Sequence, residues 1–85
     1  MATWHVQFIF TFDESRKTSI QYIINVRLAP ECFESEERMI DEINWILDCD
    51  PRQDRLVKVS MCIYGDVSDD AIPAWYWDCS GKIYF

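Results

Sequence analysis

The chain has 85 residues, of which 49% are hydrophobic, and it carries a formal net charge of −7. This length predicts one domain spanning residues 1–85, with a core rich enough to fold without disulfides. The negative charge repels phosphate backbones and anionic lipid, so it argues against direct binding to nucleic acid or a membrane and favours a basic protein partner.

The first third of the chain predicts a β-hairpin. Apolar and polar residues alternate from Trp4 to Phe12 and again from Ser19 to Leu28, which is the period of half-buried strands. The charged residues 13–17 predict the connection between them. We therefore expect two antiparallel neighbours that share an apolar face.

A helix is predicted after Ala29-Pro30, because proline ends a strand and suits the first turn of a helix. Two starts are open: Pro30 begins the helix, or Ser35 caps a shorter one. Asp50-Pro51 ends it. The apolar stripe for packing on a sheet is formed by Phe33, Met39, Ile40, Ile43, Ile46 and Leu47.

The remaining residues predict three more strands. Residues 56–64 alternate again, residues 74–79 predict a fourth strand, and Ser80-Gly81 predicts a turn into a short last strand that ends at Phe85. In the third strand the inward residues are Val57, Val59, Met61 and Ile63. The predicted fold is α+β: a single antiparallel β-sheet of about five strands, in element order ββαβββ and strand order 2-1-3-4-5, with one α-helix packed on one face.

The sequence offers no support for catalysis or metal binding. No catalytic motif is present and His5 is the only histidine, so we predict that the chain is not an enzyme and has no catalytic residues and no cofactor. The acids of residues 66–70 lack the glycine placement of a calcium loop and predict a solvated turn. Four widely spaced cysteines predict buried, reduced thiols, with two disulfides as the alternative for an exported protein: Cys32, Cys49, Cys62 and Cys79.

The helix face opposite the apolar stripe carries acids at spacings of three and four residues. Successive positions there would lie about 5–6 Å apart, close to the spacing of phosphates along a nucleic-acid strand. Arg38 can pair with Glu34, but the rest of the face has no basic partner. We call this set the acidic row: Glu34, Glu37, Asp41, Asn44 and Asp48.

The ordinary alternative to a binding face is a helix charged for solubility. Acids near a helix C-terminus nevertheless oppose the helix dipole, at a cost of up to about 1 kcal/mol each at low salt. At that end a local salt-bridge network is the competing prediction. Its acids would be Asp13, Glu14, Asp48, Asp50 and Asp54, and its bases Arg16, Lys17, Arg52 and Arg55.

Two aromatic positions are candidate anchors for a partner. In the predicted fourth strand, alternation sends Trp75 and Trp77 to one face and Tyr76 to the other, so either the tryptophans or Tyr76 fills the core, and core packing is favoured for the tryptophans. Trp45 falls off the apolar stripe of the helix. Since tryptophan and tyrosine dominate interface hot spots, Tyr76 and Trp45 are both candidates.

This profile is similar to that of small acidic phage-encoded antagonists of host defence, anti-CRISPR proteins among them, and to that of immunity proteins that neutralise nuclease toxins. No motif of either group occurs here, so no residue role is carried over. We predict an inhibitor that binds a larger protein with a basic, nucleic-acid-binding surface by charge mimicry. The predicted partner-binding residues are Glu34, Glu37, Asp41, Trp45, Asp48, Asp50 and Tyr76.

Two alternatives remain open at this point. One is an immunity protein or antitoxin, and the other is a self-associating structural or assembly module that pairs through the polar sheet face or an exposed edge strand. The protein would be a monomer or a homodimer accordingly. The expected location is the cytoplasm, of the host if the chain is phage-encoded, because no signal-like start or apolar run of membrane length occurs.

Overall fold

Four strands and one main helix build the fold in the computed structural model, which describes residues 2–14 and 18–85. The strands are β1 (Trp4–Glu14), β2 (Thr18–Leu28), β3 (Leu56–Tyr64) and β4 (Lys82–Tyr84), and the helices are α1 (Glu36–Ile46) and α2 (Ala74–Asp78). The strands form one antiparallel sheet in the order β2-β1-β3-β4. The predicted α+β class, with a single antiparallel sheet and one main helix, is confirmed.

Strand β1 lies at the centre of the core. The alternate side chains of Val6, Phe8, Phe10 and Phe12 are fully buried. They share one cluster with the apolar stripe of α1, in which Met39, Ile43 and Leu47 are buried and Ile40 and Ile46 are partly buried. Each large side chain fully buried contributes roughly 1.5–3 kcal/mol, so this contact holds α1 to the sheet.

The start of α1 combines the two predicted alternatives. Pro30–Phe33 forms a separate 3-10 turn, and α1 begins afterwards at Glu36. The Ser35 hydroxyl accepts a hydrogen bond from the backbone N–H of Arg38 at 3.0 Å, which caps the helix. Glu34 therefore precedes the cap and does not lie on the helix.

A β-bulge reverses the expected orientation of Val57. The register between β1 and β3 pairs Thr11 with Lys58 but Phe12 with Leu56, so Val57 has no partner residue. An extra residue in one strand exchanges the two faces beyond it. Leu56 is accordingly buried and Val57 is exposed, so the prediction that Val57 faces inward was wrong.

The segment predicted as the fourth strand is the short helix α2, so the sheet has four strands rather than five. Tyr76 is buried and its hydroxyl donates to the Met61 carbonyl at 2.9 Å. Trp75 is half-buried and its indole N–H donates to the Phe33 carbonyl at 2.8 Å, whereas Trp77 is exposed. The favoured interpretation, with Trp77 in the core and Tyr76 outward, was wrong, and the alternative that Tyr76 fills the core holds, although helical periodicity replaces alternation here.

Gly81 allows the chain to return closely past β3 after α2. Its φ of 70° lies in the left-handed region, and its carbonyl accepts from the Met61 N–H at 2.7 Å. A Cβ atom at this position would lie 2.6 Å from the Met61 carbonyl oxygen. Only glycine fits this approach, which seats β4 beside β3.

The four cysteines are free, but only Cys32 is buried. Burial raises the pKa of the Cys32 thiol, and the nearby charge of Glu42 raises it further, so this thiol stays protonated. Cys49 and Cys62 are exposed, so the prediction of a buried thiol was wrong for both.

Replacing Tyr76 by Phe should lower the free energy of unfolding by about 1–2 kcal/mol, because the Met61 carbonyl would remain buried without its donor. Urea denaturation measures the change. Tyr84→Phe is the matched control, since Tyr84 is 71% exposed and should lose almost nothing. Equal losses in the two variants would contradict the role given to the Tyr76 hydroxyl.

Stability should also fall at alkaline pH through Tyr76. Burial raises the pKa of this hydroxyl, so the folded protein keeps the proton to a higher pH than the unfolded chain does. The contribution is fully present below the unfolded pKa of about 10 and is lost as the pH rises through the folded pKa. Tyr76→Phe should therefore show a shallower alkaline decline than the unmodified protein, and Tyr84→Phe should keep the original slope.

Candidate partner-binding surface

The outward face of α1 places the acidic row in solvent. Glu37, Asp41 and Asn44 lie on the helix, Asp48 follows its C-terminal end, and Glu34 precedes its cap; all five residues are exposed. Trp45 lies beside Asn44 in the sequence and is 74% exposed. This arrangement follows from the core, because burial of Met39, Ile43 and Leu47 turns the opposite side of the helix outward.

No member of the acidic row has an ion-pair partner within residues 2–14 and 18–85. The ion pairs found there join Arg52 to Asp50 at 3.1 Å and Arg55 to Glu14 at 3.2 Å. The predicted pair between Glu34 and Arg38 is absent. The carboxylates of the row are therefore directed at solvent rather than at lysines or arginines of the same described segments.

An open hollow beside Trp45 is lined by Arg38, Asp41, Glu42 and Trp45. An indole face attracts a cation, and carboxylates next to it can accept hydrogen bonds from the same group. A planar guanidinium satisfies both requirements at once, since it stacks on aromatic rings and pairs with carboxylates. Arg38, on the same lining, opposes a cation, but Asp41 and Glu42 together outweigh its charge, so the hollow keeps a formal charge of −1 that favours an arginine side chain of a partner.

A second hollow lies beyond the C-terminal end of α1. Its lining consists of Asn44, Asp50, Pro51, Gln53 and Asp54. Asp54 thus extends the acidic row past Asn44. The sequence placed Asp54 among the acids at this end of the domain but gave no signal that it borders Asn44, because a loop of irregular backbone separates them.

Asp50 is bound to Arg52 of the same molecule. It accepts hydrogen bonds from the Arg52 backbone N–H at 2.8 Å and from the Arg52 guanidinium at 3.2 and 3.1 Å. These bonds lower the pKa of Asp50. The guanidinium in turn lies over the rings of Phe12 at 4.8 Å and Tyr22 at 5.3 Å. Asp50 is therefore engaged inside the molecule, as the salt-bridge alternative predicted, and Tyr76 is buried, so neither is a free contact for a partner.

The polar face of the sheet is tied together by its own side chains. Asn25 accepts hydrogen bonds from the Tyr64 hydroxyl at 3.1 Å and from the Gln7 amide at 3.4 Å. The His5 ring lies 5.7 Å from the Tyr64 ring. These contacts join β2, β1 and β3 within one molecule. The Asn25 side-chain oxygen and the Tyr64 hydroxyl are therefore already engaged in hydrogen bonds on the face that a partner would contact.

Among the described residues, no three or more His, Cys, Asp or Glu side chains lie close enough together to hold a metal ion. The acids of residues 66–70 form a turn instead, in which the Ser68 hydroxyl accepts from the Asp70 N–H at 3.3 Å. The described part of the chain also contains no helix with the length and apolar character needed to cross a membrane.

No protein-family model, curated protein sequence or solved structure matches this chain. The arrangement of its side chains is therefore the basis for assigning a function.

Charge reversal at the two ends of α1 should change stability in opposite directions. Asp48→Lys should raise the free energy of unfolding by about 0.3–1 kcal/mol, because a cation suits the C-terminal end of the dipole. Glu37→Lys makes the same charge change in the first turn and should lower it by about the same amount. Thermal or urea denaturation at low salt measures both changes. If both variants had a lower free energy of unfolding, Asp48 would not be destabilising the helix.

Proposed function

We propose that this protein is a small acidic inhibitor that binds a larger protein through the outward face of α1 and covers a basic, nucleic-acid-binding surface of that partner. The observation that carries the proposal is Trp45, which is 74% exposed and stands beside carboxylates that have no ion-pair partner among the described residues. The acids supply complementary charge, and the tryptophan supplies an anchor.

An exposed tryptophan does little for folding. Its large apolar surface remains in water in the free protein, so the burial energy of that surface is available to a complex. Interface hot spots are enriched in tryptophan for this reason. Trp45 therefore marks the centre of the proposed contact, with Asp41 and Asn44 before it along the helix and Asp48 after it.

The spacing along α1 favours a surface that normally holds phosphates. From Glu37 to Asp48 the positions advance by three or four residues, which is about 4.5–6 Å per step at a rise of 1.5 Å. Asn44 is neutral, so the carboxylates of Asp41 and Asp48 are separated by two such steps, or about 10.5 Å along the axis. A basic groove that tracks a nucleic-acid strand carries cations along its length, and acids in a row can pair with them. The protein would then compete with nucleic acid for the groove rather than bind nucleic acid itself.

The proposed setting is the cytoplasm, with an antagonist of the anti-CRISPR kind as the leading case. Supporting features are the small size, the net charge of −7 and the exposed carboxylates of Glu37, Asp41 and Asp48 along α1 and just after its C-terminal end. An immunity protein for a nuclease toxin would use the same surface chemistry, and the identity of the bound partner separates the two.

Affinity capture from the native host, followed by titration of the purified captured protein, tests the proposal. Binding should weaken steeply as salt lowers the Debye length to about 8 Å and below, and the partner should lose its nucleic acid when this protein is added. The double variant Asp41→Lys/Asp48→Lys should weaken binding at least about 100-fold, which is roughly 2.7 kcal/mol. Trp45→Ala should weaken it by a similar factor without a change in fold.

A matched control distinguishes the effect of where the charges lie from the effect of the total net charge. Asp66→Lys/Asp69→Lys changes the net charge by the same amount. These two residues follow the C-terminal end of β3, whereas Asp54 precedes its N-terminal end. This control should bind almost as tightly as the unmodified protein. A complex that tolerates high salt and the Asp41/Asp48 reversal would contradict the proposed function.

A further inference from the structure

Strand β2 is an outer strand of the sheet, and its free edge is long. It has eleven residues, all of which are paired with β1 on one side, and no other strand of the described residues lies on the other side. Eleven residues at a rise of about 3.3 Å extend roughly 36 Å. Backbone N–H and C=O groups along this edge are therefore free to pair with another strand.

The edge lacks the features by which sheets normally prevent such pairing. β2 contains no proline and no carboxylate, its only charged residue is Arg27, and its register with β1 runs without a bulge from Leu28 to Thr18. The opposite edge differs, since β4 has three residues and begins with Lys82. The sheet therefore has one protected edge and one open edge.

Apolar side chains are exposed on both faces of β2. Ile20 and Tyr22, on the core side of the sheet, are 43% and 47% exposed, and Ile23, on the polar side, is 54% exposed. They cluster in the first half of the strand, where all six residues from Thr18 to Ile23 are exposed. A strand added at this edge would cover all three side chains.

We propose that β2 pairs antiparallel with β2 of a second copy, about a two-fold axis at Ile23, so that two four-stranded sheets join into one. This register places Tyr22 opposite Ile24 and Ile20 opposite Val26 on the apolar side. On the polar side it places Gln21 opposite Asn25 and Ser19 opposite Arg27. Apolar residues therefore meet apolar ones except at the two ends, where Leu28 lies opposite Thr18, and no like charges face each other.

Charge favours a second copy at this edge over other parts of the molecule. The net charge of −7 repels another copy, but β2 has no acid, so the one extended unpaired edge is also free of carboxylates. The axis is perpendicular to the sheet, so both α1 helices would lie on the same side of the joined sheet with their outward faces free. The inference does not rest on the proposed function.

Added salt should change the two proposed interactions in opposite directions. Pairing of two copies must overcome repulsion between charges of −7, so it should strengthen as salt screens them. Binding of a basic partner by α1 should weaken over the same range. Failure of one prediction therefore leaves the other intact.

Sedimentation equilibrium of the purified protein over a range of concentration and salt tests the inference. We expect a monomer–dimer equilibrium that shifts toward dimer at higher salt. Ile23→Lys would set two lysines opposite each other at the axis and should weaken the dimer roughly tenfold or more. Tyr84→Lys, at a position of β4 that is 71% exposed against 54% for Ile23, should leave the dimer unchanged.

Hydrogen exchange provides a second measurement that needs no variant. Alternate amides of β2, those that point away from β1, should exchange more slowly at high than at low protein concentration. A monomer at every concentration and salt would overturn the inference, as would a dimer weakened by Tyr84→Lys but not by Ile23→Lys. Protection of β2 amides only after addition of another protein would overturn it in favour of a partner's strand.

Discussion

Burial of one side of β1 is the contact on which the rest of the structure depends. The Phe8 ring stacks on Phe10 at 5.7 Å, the Phe12 ring lies tilted to Phe10 at 6.3 Å, and all three side chains are fully buried. This apolar face must be covered by another element, and α1 covers it with its apolar stripe. The outward position of Trp45 and Asp41 is a consequence of that packing rather than a separate feature.

The two ends of the core are closed by different chemistry. At one end Trp4 and Trp75 both lie against Phe33, with ring centroids 5.2 and 6.2 Å away. At the other end the Arg52 guanidinium lies over the Phe12 ring at 4.8 Å. Asp50 pairs with this guanidinium at 3.1 Å, whereas Asp48, two residues earlier, has no ion-pair partner among the described residues.

Long, regular patterns made most of the fold predictable, and short or irregular segments limited it. The alternation extends over nine residues in β1 and ten in β2, and the stripe of α1 over three turns, so their type and pairing followed from periodicity. Residues 74–78 are too few to distinguish alternation from a helical turn, and the contacts that decide, from Tyr76 to Met61 and from Trp75 to Phe33, are distant in sequence. The acidic row was visible from its spacing. The hydrogen bonds between Arg52 and Asp50 were not, because loop geometry places them.

The acidity of α1 and the neutrality of β2 become related once the fold is known. An unprotected edge ordinarily invites open-ended aggregation, and proteins oppose this by placing charges or prolines on the edge itself. Here the opposing charge lies elsewhere, on α1 and the loops, and acts through the net charge of −7. In the proposed dimer that long-range repulsion would limit association without blocking it. Since the β4 edge is short and carries Lys82, a molecule joined at β2 would have no second long edge among its described strands, so the proposed pairing would end at two copies instead of continuing into a fibre.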